Sequence, residues 1–329
     1  MNEEIIRKQS EAAYAQWAEQ WRKQAKDNSV YQMKSLSDFE NSGIGKAILC
    51  VANGYSFEEN IEAIKKHKDN IDILCCDKTL GHLLDNDITP TFCMVCDANV
   101  NYEKYMEKWK DKLQNTILFM NVCGNPKWSE NGNWKDKYFF INKDILSSHE
   151  EFSKISGCKN FIAAGTNVSN AMVILLTQCD NEYRRNFFAY DKILLIGYDY
   201  SWRVFGKYYA FDETGNGKTY YMRHHHCMTV DHEFAYTSGN LAFSAQWFET
   251  YVKTFGLPVV NCSKKNILTQ LKNTTEIDKH LSYRYKTQDA EEVRKAVEEI
   301  KILNRKTKIL KERITTISKD HTRSFACSI

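Results

Sequence analysis

Three short apolar runs, each handing over to a turn or an acidic residue, constrain this chain more than any other feature. From Lys46 to Asp97 it reads KAILCVANGYSFEENIEAIKKHKDNIDILCCDKTLGHLLDNDITPTFCMVCD. Residues 47–52 are continuously apolar, the pattern of a strand buried on both faces. Asn53-Gly54-Tyr55-Ser56 then turns the chain, and a helix is expected over 57–67 with acidic residues in its first turn. Residues 71–76 and 91–96 repeat the buried-strand pattern and run into Asp77 and Asp97. Strands joined by helical crossovers lie parallel, and their C-terminal ends line the edge where ligands bind. The expected fold class is therefore α/β, a Rossmann-like, mostly parallel sheet with helices on both faces. Asn53, Gly54, Asp77 and Asp97 are its first candidate binding residues. No Walker or dinucleotide fingerprint accompanies them.

The run VANGYSF, a helix, an Asp-ended strand, the Ile88-Thr89-Pro90 turn and a second Asp-ended strand resemble, in that order, the motility-accessory-factor family. That family shares a domain with the archaeal hydroxymethyl-dihydropterin diphosphokinase (MptE-like) proteins. The first loop is also similar to the asparagine–glycine loop of bacterial sialyltransferases, whose glycosyltransferase fold is alike. The usual family loop is Gly-Pro-Ser-Leu. This chain has Gly54-Tyr55-Ser56-Phe57, which keeps the glycine and serine and replaces the proline.

Further along, FIAAGTNVSNAMVILLTQ (161–178) reads as an apolar segment, a turn at Gly165-Thr166-Asn167 and an apolar helix. A helix start presents free N–H groups and a positive dipole end, which suits a phosphate. The alternative reading is that Thr166 or Asn167 serves only as the cap of a buried helix. The resemblance implies a small-residue turn and an apolar helix at this place. It also implies an apolar strand followed by Gly-x-Asp, and here residues 192–196 lead into Gly197-Tyr198-Asp199. Asp199 leaves the end of a predicted central strand and is a candidate for orienting donor or acceptor. A helix opening at Thr237-Ser238-Gly239 and a strand over 257–262 close the similarity, which covers residues 36–271.

Residues 205–217, rich in aromatics and glycine, read as a mobile loop, and 123–137 as a loop or lid. His224-His225-His226 lie in an extended stretch, where neighbours point to opposite faces. With Cys227 and Asp231 they do not match a zinc spacing. One of the three, His225 ahead of its neighbours, is instead expected as a general base, since imidazole titrates near neutrality.

Residues 1–35 form an N-terminal helical extension with Tyr14, Trp17 and Trp21 at helical spacing, and 36–275 the transferase domain. Residues 276–329 form a basic helical extension with an apolar seam over 289–318, suited to packing on the domain or pairing with a second copy. With 45 basic and 42 acidic residues the net charge is only +3, which argues against bulk binding of nucleic acid or membrane by charge. No apolar run approaches the roughly 20 residues of a membrane span. The opening MNEEIIRK is unlike a secretory leader, so the eleven cysteines are expected as thiols in a reducing cytosol.

The first functional expectation is a glycosyltransferase taking a nucleotide-activated sugar, as the resemblance implies, with a nonulosonic, sialic-acid-like sugar in view. Asn53, Gly54, Ser56, Gly165, Thr166 and Asn167 would cradle the donor, and Tyr200, Tyr208 and Tyr209 would donate to the leaving phosphate. No metal is needed on this reading, and the acceptor is a protein, glycan, lipid headgroup or nucleic acid. The alternative is a diphosphokinase using ATP, with Mg²⁺ held by Asp77, Asp97 and Asp199. A third is a non-catalytic nucleotide-binding module.

Overall fold

Alternate residues of each strand face opposite sides, so a strand buried on both faces needs two cores, and this chain supplies both. The computed structural model describes residues 3–143, 148–163, 165–177, 187–203, 208–211, 224–263, 265–274 and 277–281, together with Lys295 and Glu299. One compact unit spans Met1–Tyr283 and a second Arg284–Ile329. The apolar seam of 289–318 lies outside the described residues except for Lys295 and Glu299, both exposed.

The first unit opens with helix α1 (Glu3–Asn28), then β1 (Ala47–Val51), α2 (Ser56–Glu59), α3 (Ile61–His67), β2 (Asp72–Cys76), α4 (Asp77–Asp85) and β3 (Phe92–Val95). It continues through α5 (Tyr102–Tyr105), β4 (Ile117–Asn121), α6 (Lys127–Asn131), β5 (Asp136–Asn142), α7 (His149–Ser156), β6 (Phe161–Ile162) and α8 (Val168–Thr177). The last described elements are β7 (Lys192–Ile196), β8 (His225–Met228), β9 (Phe234–Thr237), α9 (Gly239–Phe255), β10 (Val259–Asn261), β11 (Lys272–Asn273) and α10 (Ile277–Leu281).

Nine strands form one sheet in the order β11-β10-β7-β1-β2-β3-β4-β5-β6, every neighbour pair parallel. β8 and β9 form a separate antiparallel hairpin. The chain builds outward from β1 to β6, then returns to lay β7 on the other side of β1. The order reverses there, and such a switch point opens a crevice beyond the strand ends.

Leu49, Val51, Ile73 and Cys75 face one core with α1 and α3–α7. Ile48, Cys50, Leu74 and Cys76 face the other with α8 and α9. The expected fold, parallel α/β with helices on both faces, is the one observed. All nine described cysteines are free, seven of them buried. Among the described residues no helix is long and apolar enough to cross a membrane.

Several local expectations need correction. The stretch 123–137 is not a lid. Trp128 is fully buried and Trp134 nearly so, α6 occupies its middle, and the aromatics that suggested mobility serve the core. The helix expected over 57–67 is broken at Asn60, whose amide side chain donates to the Ser56 carbonyl (2.7 Å). Ahead of β1 the chain makes a 3₁₀ turn, Leu36–Phe39, and Phe39 packs on Phe92, Phe119, Tyr138 and Phe188 at 4.7–5.8 Å between ring centres.

α1 is fastened at its C-terminal end. Asn28, fully buried, donates to the carbonyls of Val122 (2.9 Å) and Gly124 (3.0 Å) and accepts from Ser129 (2.9 Å). Removing the amide strands buried polar partners, each costing about 1–3 kcal/mol. Asn28→Ala is therefore expected to lower the unfolding free energy by that order in urea titration. An unchanged midpoint would show that α1 is held by something else.

Candidate functional site

Beyond β1 and β7 the sheet ladder continues into the loops. The Ala52 amide donates to Ile196 (2.8 Å) and the Gly54 amide to the Gly197 carbonyl (2.9 Å). Only glycines permit this approach. A Cβ on Gly54 would stand 2.5 Å from the Gly197 oxygen and 2.5 Å from Asp199 Oδ2. Gly197 has φ +75°, and a Cβ there would collide with the Ala52 carbonyl. The turn is locked from behind by Asp199, which is fully buried. Its Oδ2 accepts from the Ser56 amide (2.8 Å), its Oδ1 accepts from the Ser56 hydroxyl, and that hydroxyl accepts from the Gly197 amide (3.0 Å).

In front of this clasp lies a cavity of about 650 Å³, the size of an ordinary ligand pocket. Its floor comes from Asn53 and Gly54 after β1, Asp77 and Lys78 after β2, Asp97 after β3 and Tyr200 after β7. One side is the start of α8, with Thr166, Asn167 and Ser169. Ala13 of α1, Leu241 of α9, Tyr208 and Tyr209 complete the wall.

Asn167 caps α8, its Oδ1 accepting from the Asn170 amide and the Ser169 hydroxyl (both 2.9 Å). The capping role and the site role thus coexist, because the turn also faces the cavity. Thr166 is held at φ +80°, a costly conformation for a β-branched residue. Buried Asn170 supports it, donating to the Gly165 carbonyl (2.6 Å) and accepting from the Tyr200 hydroxyl. Thr166 in turn donates to Ser244 Oγ (2.7 Å).

The structure therefore brings Asn53, Gly54, Asp77, Asp97, Thr166, Asn167, Tyr200, Tyr208 and Tyr209 onto one cavity. Ser56 and Asp199 stand behind the wall as its fastening, and Gly165 lies beneath the turn. His224, His225 and His226 are on the exposed hairpin, and none of them lines the cavity. His224 and His226 flank the Tyr236 ring at 5.4 and 5.3 Å, as same-face neighbours should.

Lys78 and Asn170 were not legible as site residues. Among the described residues Lys78 is the one Lys, Arg or His that lines the cavity. Its ammonium meets the Tyr209 hydroxyl at 3.2 Å. Burial works against its charge, but Tyr209 and Asp77 outweigh burial and raise its pKa. The signal available was its place in the first turn of a helix following an Asp-ended strand.

Of the three aspartates expected around Mg²⁺, Asp77 and Asp97 face the cavity, while Asp199 is spent on Ser56. Among the described residues no group of three or more His, Cys, Asp or Glu is placed to hold a metal. Two carboxylates remain, enough for a Mg²⁺ that arrives on nucleotide phosphates.

Burial pushes Asp77 up to about 6; Lys78 opposes the rise and Asp97 adds to it. Burial likewise pushes Asp199 up to about 7 against its two bonds from Ser56. A carboxyl raised in the folded state binds its proton more tightly than in the unfolded chain. The stability it contributes is full below the ordinary carboxylate range and is lost as pH rises through the folded value. Asp77→Asn should thus melt with wild type near pH 4 and above it beyond pH 6, the gap reaching about 2–3 kcal/mol by pH 8. Melting curves of the two proteins across that range check this, since Asp199 contributes equally to both. A constant gap would refute it.

Residues 19–204 match the family described as 6-hydroxymethylpterin diphosphokinase MptE-like. No curated protein matches the chain. Among solved structures the fold is similar to that of a Maf glycosyltransferase from Magnetospirillum magneticum AMB-1, with a TM-score of 0.55 and 16% identity. That likeness takes in 82% of this chain and 39% of the other, so the chain spans well under half of that relative's length. The family match covers more than half of the sequence, and the protein belongs to the MptE-like family.

Proposed function

We propose that this protein is a transferase of the glycosyltransferase kind, moving a sugar from a nucleotide-sugar donor to an acceptor hydroxyl. The observation that carries this reading is Lys78 beside Tyr209 in a cavity at the β1/β7 switch point, opposite the α8 start. These groups supply positive charge and N–H and O–H donors where the donor's phosphate would leave. The Maf glycosyltransferase name of the structural neighbour agrees with it, while the family's description, a diphosphokinase, agrees only at the level of a transferase and otherwise favours the second reading below. The resemblance to sialyltransferases makes CMP-linked nonulosonic sugars the first donors to try.

The transfer needs a base, and Asp77 has the position and the pKa. It is almost wholly buried, lines the cavity, and carries a carboxyl raised to about 6. The acceptor oxygen bonds to the anomeric carbon and gives its proton to Asp77. The bond from that carbon to the phosphate oxygen breaks, and its electron pair leaves with the nucleotide, facing Lys78 and Tyr209. Tyr200, Tyr208 and Leu241 help keep water from the reacting carbon. The free thiols of the nine described cysteines suit a reducing compartment, and we place the protein in the cytosol.

One observation favours a second reading. Asp77 and Asp97 both face the cavity, and together they would hold the Mg²⁺ of an ATP complex for pyrophosphoryl transfer. Thermal shift against CMP, UDP, GDP and ATP, each with and without Mg²⁺, separates the two. A metal-independent shift with CMP or UDP supports the sugar donor; a shift with ATP alone that needs Mg²⁺ supports the diphosphokinase.

With the donor identified, Lys78→Met is expected to weaken donor binding and slow turnover. Asp77→Asn should cost about 10²–10⁴ in kcat and lose the acidic limb of the pH–rate profile. Its stability at neutral pH keeps misfolding from explaining that loss. If His224→Ala, His225→Ala or His226→Ala removes the limb instead, the base lies on the hairpin.

A further inference from the structure

The cavity floor lies within residues 19–204, the span of the family match, whereas Tyr208 and Tyr209 of its wall lie outside that span. These tyrosines open a run of four residues, Tyr208-Tyr209-Ala210-Phe211, that lies across the loop after β1 and reaches the start of α4. The run is fastened at each position. The Tyr208 ring meets that of fully buried Trp202 at 5.1 Å between centres. The Tyr209 hydroxyl meets the Lys78 ammonium, which also lies 4.7 Å from the centre of the Tyr209 ring. Buried Ala210 donates its amide to the Asn53 carbonyl (3.1 Å). The Phe211 ring packs on Phe57 at 5.3 Å and stacks on His82 at 4.5 Å.

The last position is strained. Phe211 has φ +58°, a region that a bulky side chain occupies only where its surroundings impose it. Glu58 holds the backbone there, its Oε2 accepting from the Phe211 amide at 3.0 Å. A carboxylate makes a stronger acceptor than a neutral oxygen. Glu58 follows Ser56 and Phe57 in α2, so three successive residues of one short helix tie floor and wall together. Ser56 bonds to Asp199 behind the cavity, Phe57 packs on the Phe211 ring, and Glu58 takes the Phe211 amide. Glu58 itself does not line the cavity.

We propose that Glu58 is a positioning residue of the sugar-nucleotide site, seating Tyr209 over Lys78 through the Phe211 amide, a role that rests on the glycosyltransferase reading. Without the carboxylate, Phe211 is free to leave the left-handed region. Its ring stays between Phe57 and His82, so the rotation about its N–Cα bond is taken up by the residues before it, Ala210 and Tyr209. The single bond from Ala210 to Asn53 is then left to oppose the movement. Lys78 keeps its neighbour Asp77 but loses the Tyr209 hydroxyl. The leaving phosphate would meet the two groups out of register, and such groups act through fixed placement.

The test uses the full chain and reads Lys78 directly. Brief acetylation with an N-hydroxysuccinimide ester, followed by peptide mass spectrometry, gives the labelling rate of Lys78 relative to exposed Lys154 on α7. A hydrogen bond to a charged acceptor is worth about tenfold in an equilibrium, so Glu58→Ala should label Lys78 about tenfold faster with little change in melting temperature. Glu58→Gln keeps an accepting oxygen and should retain most of the protection. Phe211→Ala removes the ring anchor and should expose Lys78 by a second route. In a Tyr209→Ala background Glu58→Ala should add nothing, because the residue through which it acts is gone. CMP and UDP probe the site itself: whichever shifts the wild-type melting temperature should need about tenfold more to shift Glu58→Ala. The inference is overturned if Lys78 labelling is unchanged in Glu58→Ala and Phe211→Ala, or rises further in the Tyr209→Ala background. It is also overturned if labelling rises while nucleotide affinity stays at the wild-type value, which makes Glu58 a structural tie alone. A wild-type protein that neither nucleotide shifts overturns the sugar-nucleotide reading instead, and Glu58's part in transfer with it, whatever the labelling shows.

Discussion

The close approach of the loops leaving β1 and β7 governs the rest of the molecule. Two strands distant in sequence are zipped past their formal ends by the Gly54–Gly197 bond, at a spacing that admits no side chain on either residue. Behind it, a single carboxylate takes both the amide and the hydroxyl of Ser56. The arrangement fixes the Asn53 turn relative to Tyr200, and through Tyr200 and Asn170 it fixes the strained Thr166 turn at the head of α8. Three loops from three parts of the chain are thereby held as one wall. Preorganised donors are worth most when they need not move during reaction, and this network has little freedom to move.

Holding Asp199 there has an energetic cost. A fully buried carboxyl loses its hydration, and the two bonds from Ser56 only partly offset that, which is why its pKa stays high. Removing the aspartate is not a remedy, because the Ser56 amide and hydroxyl would be left as buried donors without an acceptor. Asp77 carries the same kind of penalty for a different purpose. It is buried at the cavity wall, where a carboxyl near neutrality is useful in proton transfer. Two raised carboxyls at one sheet edge make the site less stable than the core around it, as sites poised for chemistry commonly are.

Much of the architecture could be read in advance because burial on both faces writes itself as unbroken apolar runs. AILCV, DILCC and FCMV all fall where strands were expected, and the glycine turns follow from backbone space. What could not be read was partnership at long range. Nothing local says that Asp199 answers Ser56 across 143 residues, or that Asn170 rather than Asn167 anchors the Gly165 turn. The sequence ordering of Asp77 and Lys78 hid the lysine, since the eye stops at the strand-ending acid. The tryptophan-rich stretch 123–137 misled for a related reason: Trp128 and Trp134 are core residues carried on irregular backbone, and composition alone reads irregular backbone as surface loop. The His triplet stood out as chemistry, yet an exposed hairpin with alternating faces turns it into surface beside Tyr236.

The division of the cavity into a floor within the family match and a wall outside it has a consequence for how such a site can change. The clasp and the Thr166 turn are joined through Tyr200 and Asn170 by buried hydrogen bonds, so a substitution in either disturbs the other. Tyr209 is tied to the floor through Lys78, whereas Leu241 contributes surface to the cavity without joining the clasp, and Phe234 and Met228 stand largely exposed. Residues of this second kind can be exchanged without altering the strand ends. The outer wall is thus able to vary while the geometry of the strand ends stays fixed. The physical reason is that the inner groups are coupled and the outer ones are nearly additive.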